Sequence, residues 1–302
     1  MIDRVSTFAN QEMATMLRTQ FVPVAIDQAY ERRQQDAEGE FYRKFAGQGP
    51  RGDFAGTTQG FYVATAAGDL LLYNNNRDPA KVLRLAKRAR ERFAASPAAK
   101  AEVASIDHGR VDARYAVTPP SGGLVVRVHG KVLGGYAPTD EPFQKAMQQA
   151  LSRDNLWITQ EERQALLRGE LPDALMRRLA RYHLVDGTRG EPPMWRADEV
   201  LTLDVHRKGD RVSGRIRLGT KDGKRGYEAS LLGFVATEGE RVTRFDLVVD
   251  GTFHGEGRYT RGAPEGAFPF AVAFSLADGS DVADAIPPQG SRGWVDGYLK
   301  AR

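Results

Sequence analysis

From Glu199 onward, apolar residues return at every second position. Leu201, Leu203 and Val205 alternate with Thr202, Asp204 and His206, and Val212, Ile216 and Leu218 keep the period. Tyr227, Ala229 and Leu231 continue it, followed by Phe245, Leu247 and Val249 and then by Phe268, Phe270, Val272 and Phe274. A strand turns successive side chains to opposite faces, so the alternation predicts strands with one face in a core and the other in water. Asp222-Gly223, Glu238-Gly239 and Asp250-Gly251 punctuate the run as turns. Together these signals predict an antiparallel β domain over 196–302, either a sandwich or a barrel.

Upstream the period is different. Phe8, Met13, Met16 and Leu17 predict a helix over 8–19, and Phe21–Ile26 reads as a short apolar strand ending at Asp27. Tyr30, Phe41 and Phe45 predict an amphipathic helical stretch over 29–46, followed by a loop over 47–57. Phe61–Thr65 and Leu70–Asn74 predict a hairpin about Ala67-Gly68-Asp69. Asp78 as N-cap and Pro79 at the first turn open a helix that buries Val82, Leu85, Ala86, Ala89 and Phe93. Residues 98–195 read as a mixed connector and helical segment. Within it, Ala113–Val117 and Leu124–Val128 are short strands, and Phe143, Met147 and Leu151 form one helical stripe. Thr159 with Glu162 fits a capping box, and Pro172 opens a helix carrying Leu175, Leu179 and Tyr182. Domain boundaries are expected near 97–110 and 190–198, which gives 1–97, 98–195 and 196–302 in an α+β chain.

The order helix, strand, helix, strand, strand, helix over 1–97 resembles the thioredoxin-like fold with its first strand missing. Ser6-Thr7-Phe8 through Phe21-Val22-Pro23-Val24, and Gly60-Phe61-Tyr62-Val63 through Gly68-Asp69-Leu70-Leu71, carry the resemblance. In that family a Cys-x-x-Cys begins the first helix and a cis-proline precedes the hairpin. This sequence has no cysteine, and Thr57-Thr58-Gln59 stands where the proline would be. Without thiols the chain has no disulfide, no dithiol cycle and no Cys-ligated metal. The resemblance thus implies a redox-inactive domain with a binding or scaffolding role. The alternative is a shortened thiol–disulfide oxidoreductase whose Cys motif lies upstream. It also implies a gap in the middle of the sheet, to be filled by Leu124–Val128, by a strand of a partner chain, or by sequence upstream.

Residues 181–195 hold the densest mixture of titratable, aromatic and turn residues. There His183 could serve as a general base oriented by Asp186, as in a metal-independent hydrolase or transferase, with Arg189 binding an anion and Trp195 forming a wall. As a domain junction, the same stretch would have His183 at a helix C-terminus and Arg189 with Glu191 pinning a linker. The expected ligand-binding residues are Arg189, Glu191 and Trp195, in a site between the middle segment and the β domain. The histidines, His108, His129, His183, His206 and His254, show no short ligand spacing, although His206 and His254 with Glu228 and Glu256 could meet around a metal. No cofactor is expected.

Gly47-Gln48-Gly49-Pro50-Arg51-Gly52 matches a dinucleotide fingerprint by letter only, since a helix precedes it and Pro50 has no N–H to offer a phosphate. Lys81, Arg84, Lys87, Arg88, Arg90 and Arg92 face a single Glu91 and read as a solvated helix face. A net charge of +4, from 43 basic and 39 acidic residues, is too slight to indicate nucleic acid as a partner. The expected partner is a protein or a small molecule. Neither a secretory leader nor an apolar run long enough to span a membrane is evident, so a cytoplasmic protein is expected.

Overall fold

The computed structural model describes residues 7–8, 10–76, 78–100, 109, 111–115, 117–291 and 294–300. Ser6, His108 and Ala116 lie outside them. The chain divides into two compact units, Asp3–Val117 and Thr118–Arg302.

The N-terminal unit opens with helix α1 (Gln11–Gln20), which starts where Asn10 accepts the Met13 N–H at 2.9 Å. Phe8 precedes it and packs edge-on against Phe61, with ring centroids 5.5 Å apart. The stretch expected as one helical run over 29–46 is two helices, α2 (Gln28–Glu31) and α3 (Ala37–Ala46). The break falls where the Asp36 carboxylate accepts from Gly39 N, Gln34 Nε2 and Asp112 N, making a new cap. Strands β1 (Phe61–Ala64) and β2 (Leu70–Asn74) form an antiparallel hairpin with Tyr62 opposite Tyr73. Helix α4 (Pro79–Ala94) follows, with Asp78 accepting from Ala80 N.

The hairpin is covered on both faces. Phe61 packs on Met13 and Met16 of α1 and Val82 and Ala86 of α4, whereas Tyr62 and Ala64 pack on Tyr42, Phe45 and Ala46 of α3. The alternation of side chains along a strand produces this division. Phe21–Ile26 is not a strand: the segment joins no ladder among the described residues, and Val22, Val24 and Ile26 are 90%, 72% and 40% exposed. Apolar composition alone does not make a strand when no edge lies alongside it.

The C-terminal unit is built on a single seven-stranded antiparallel sheet. Its strands are β3 (Leu124–Val132), β4 (Leu151–Ile158), β5 (Val200–Lys208), β6 (Arg211–Gly219), β7 (Gly226–Glu238), β8 (Arg241–His254) and β9 (Ala267–Leu276), in the order β4-β3-β9-β8-β7-β6-β5. The connector over 98–195 therefore supplies two strands to the sheet of the β domain. β3 pairs with β4 and β9, so Leu124–Val128 does not fill a gap in the N-terminal unit. Residues 113–115 form a turn, and Leu151 begins a strand instead of ending a helical stripe. Gly251 lies inside β8, where a Cβ would sit 2.1 Å from Glu228 O, so close strand approach and not a turn explains that glycine.

Helices α5 (Pro142–Gln148), α6 (Gln160–Leu167) and α7 (Asp173–His183) join these strands, and α8 (Val295–Leu299) closes the described chain. The Thr159–Glu162 capping box of α6 is formed. Among the described residues the sheet has no second sheet facing it, and no ladder joins its outer strands β4 and β5. The sandwich and the closed barrel expected over 196–302 are thus replaced by an open sheet, and α7 touches both outer strands. Edge backbone is a liability unless covered, and α7, with Leu175, Met176, Leu179 and Ala180 buried, covers both ends.

Candidate functional site

The chain leaving α7 stays inside the protein. Residues 183–189 are buried without interruption, which a connecting segment tolerates only when its polar groups find partners. His183 Nε2 lies 2.6 Å from Tyr298 Oη of α8, and its Nδ1 lies 3.0 Å from Asp154 Oδ2 of β4, at ion-pair distance but out of hydrogen-bond alignment. Burial pushes the Tyr298 hydroxyl well above the ordinary phenol range. Asp186 faces elsewhere: its Oδ1 accepts from Thr188 N at 3.0 Å and Thr188 Oγ1 at 2.6 Å, and its Oδ2 lies 2.5 Å from Arg189 Nη2. The arrangement expected of a base and its orienter, His183 with Asp186, is therefore not formed. Both side chains are sealed from water.

Arg189 is the hub of this segment. Its Nε donates to Thr260 O at 3.1 Å and its Nη1 to Tyr136 Oη at 2.9 Å, so it binds protein groups where an external anion was expected. Tyr136 is held above its usual pKa, chiefly by burial, against the pull of Arg189. Trp195 is a buried support instead of a pocket wall. Its Nε1 donates to Leu184 O at 2.7 Å, and the Arg225 guanidinium stacks 3.9 Å from its ring centroid. Arg225 also donates to Pro193 O at 2.5 Å and Met194 O at 3.3 Å, and burial lowers its pKa to about 10, which leaves it charged at neutral pH. Glu191 is exposed.

What this buried segment supports is the long connection between β8 and β9. Residues 255–266 exceed the usual hairpin length, a pattern associated with binding loops. Thr260, itself buried, accepts from Gly257 N at 2.7 Å and offers its carbonyl to Arg189. The two loops interlock through glycines. A Cβ on Gly190 would fall 2.0 Å from Tyr259 O, and one on Gly257 would fall 2.3 Å from Pro193 Cδ. Glu256 Oε2 accepts from Gly262 N at 2.8 Å and Ala263 N at 3.2 Å, folding the far limb back. Beside the loop opens a cleft of about 560 Å³ lined by Lys224, His254, Glu256, Ala263, Pro264 and Ala267, among others. That size falls in the range of small-molecule sites.

Within the cleft His254 crowds Gly226, where a Cβ would fall 2.4 Å from its Cε1, and its Nε2 is 3.1 Å from Gly223 O. With both ring nitrogens protonated, Nε2–H donates to that carbonyl and Nδ1–H is left as a donor for an anion. His206 is remote, on β5, where it meets Asp204 at 2.7 Å on the surface. Strands β6 and β7 separate it from His254, and no group of three metal-ligating side chains occurs among the described residues. The cations of α4 are exposed, with Lys87 paired to Glu12 at 2.6 Å.

The chain after β9 returns across β3 and β4 as a strap. Arg127 holds Asp284 through two bonds of 2.8 Å and Asp278 at 2.5 Å, while Arg153 holds Asp281 at 2.6 Å and Asp284 at 3.1 Å. Asn155 donates to Ala283 O and Ile286 O, and Asp154 accepts from Gln289 N. Arg178, fully buried, ties the end of the strap by donating to Leu299 O at 3.1 Å while paired with Glu162. No protein-family model, curated protein or solved structure matches this chain.

Proposed function

We propose that the protein is a redox-inactive binding protein that seats a small anionic ligand in the cleft beside the 255–266 loop. The observation that carries this reading is the division of labour among the cleft's charges. Glu256 spends its carboxylate on the loop's own N–H groups, and Lys224, whose exposed pairing with Asp222 at 3.3 Å is readily exchanged, lines the cleft with His254. The buried Asp186–Arg189 pair and the Trp195–Arg225 stack hold the loop from beneath, which supports a pre-formed site, since rigid support lowers the ordering cost of binding. Helices on both faces of β1–β2 support a thioredoxin-like reading of the N-terminal unit, and the extended course of Phe21–Ile26 departs from it.

Titration of the full chain with inorganic phosphate and with a short dicarboxylate, followed by amide NMR, tests the proposal. Saturable shifts at Lys224, His254, Gly255 and Ala263, abolished in Lys224→Ala/His254→Ala, are expected. Scattered non-saturating shifts, or shifts unchanged in that variant, would refute it.

A further inference from the structure

The β1–β2 hairpin has more helical cover than two strands require. A two-stranded ribbon is marginal alone, and sheets with helices on both faces are ordinarily wider. α1 and α4 cover one face and α3 the other. The outer edge of β2 is partly capped, Arg92 Nη1 donating to Leu71 O at 3.3 Å. The backbone of β1 bonds only to β2 among the described residues, so its other edge is open.

In the same unit, Val22–Ile26 makes no backbone hydrogen bond among the described residues. The residues bounding it, Phe21 (φ −135°, ψ 162°) and Asp27 (φ −80°, ψ 93°), are extended. Its valines are the apolar β-branched residues that strands favour, and they face water. Pro23 fits an edge strand. N–H groups of successive residues point to opposite edges, so the one Pro23 lacks lies on the side away from Val22 and Val24.

Every copy of the chain thus offers an unpaired strand edge and an unpaired apolar extended segment. We propose that two copies associate by reciprocal strand addition, Phe21–Ile26 of each joining the open edge of β1 in the other. Such an exchange closes with twofold symmetry and buries Val22 and Val24. No other extended apolar segment among the described residues lies so fully exposed, which selects a second copy as the occupant.

Sedimentation velocity of the full chain over a wide concentration range should show a dimer that Val22→Asp/Val24→Asp converts to a monomer with an unchanged circular dichroism spectrum. Because the chain has no cysteine, a Val24→Cys/Val63→Cys variant supplies a second measurement. Mild oxidation should give a covalent dimer whose cross-link joins positions 24 and 63 of different chains. A wild-type monomer throughout, a dimer that survives the aspartates, or no such cross-link overturns the proposal.

Discussion

Tyr298 Oη and His183 Nε2 stand 2.6 Å apart although 115 positions separate them in the sequence. The contact fixes the end of the strap to the end of α7, and a histidine whose neighbours suggested acid–base chemistry acts there as an anchor. Tyr298→Phe keeps the ring contacts with Tyr182 and His183 but leaves the imidazole nitrogen without its partner. A loss of about 1–3 kcal/mol is expected in urea unfolding, the cost of an unsatisfied buried polar group.

Arg189→Ala strands the Asp186 carboxylate in the interior and frees Thr260 O. Removing one member of a buried pair costs about 3–5 kcal/mol. Thermal melts should show that loss, and amide exchange should accelerate at residues 255–266 ahead of the sheet. Arg189→Ala/Asp186→Ala should recover part of the stability, because no charge is then left alone.

Gly190→Ala probes the interlocked loops directly. With Tyr259 O only 2.0 Å from the new methyl, one loop must withdraw. Reduced stability and loss of anion-dependent shifts in the cleft are expected together, whereas Gly169→Ala, strained by its φ of +83° but with nothing within 4 Å of a Cβ, should lose stability and keep those shifts.

Glu31 gives the N-terminal unit a pH dependence of unusual sign for a carboxylate. Burial, with Glu38 and Asp36 nearby, raises its pKa to about 7. In that window the folded chain binds the proton more tightly than the unfolded chain, so stability falls as pH rises from the ordinary glutamate value to about 7. Glu31→Gln should flatten this slope and raise the melting temperature at neutral pH.

The strap responds in the opposite sense. Ser280 and Arg127 hold the Asp278 carboxyl well below the usual range, and Ala283 N and Arg153 lower that of Asp281. Their stabilisation is present above the unfolded carboxylate range and is lost on acidification. Amide protection at 278–286, relative to the intrinsic exchange rate at each pH, should therefore fall on acidification before the sheet unfolds, and Asp284→Asn should move that onset to higher pH.

Much of the architecture could be read from periodicity. Val205, Ile216, Leu231 and Phe270 carried the alternation of the sheet, and Asp78-Pro79 marked the start of α4. Leu201 fell out of phase because a bulge between Val200 and Thr202 turns it outward. β4 was hidden because Arg153, Asp154 and Asn155 are polar, and the partners that explain them, such as Asp281, Gln289 and Ile286, lie more than a hundred residues away. The stretch 181–195 stood out correctly as chemically dense. That its charges would be spent on Thr260, Tyr136 and Tyr298 depended on tertiary pairing, which local spacing does not encode.

At six junctions the large sheet is held by backbone ladders; between β4 and β5 it relies on the side chains of α7. Side-chain packing weakens when neighbours loosen, whereas a ladder holds strand to strand. The open sheet is therefore tied least where α7 bridges its two outer strands, and loss of that helix would bare both edges while the strands stay paired.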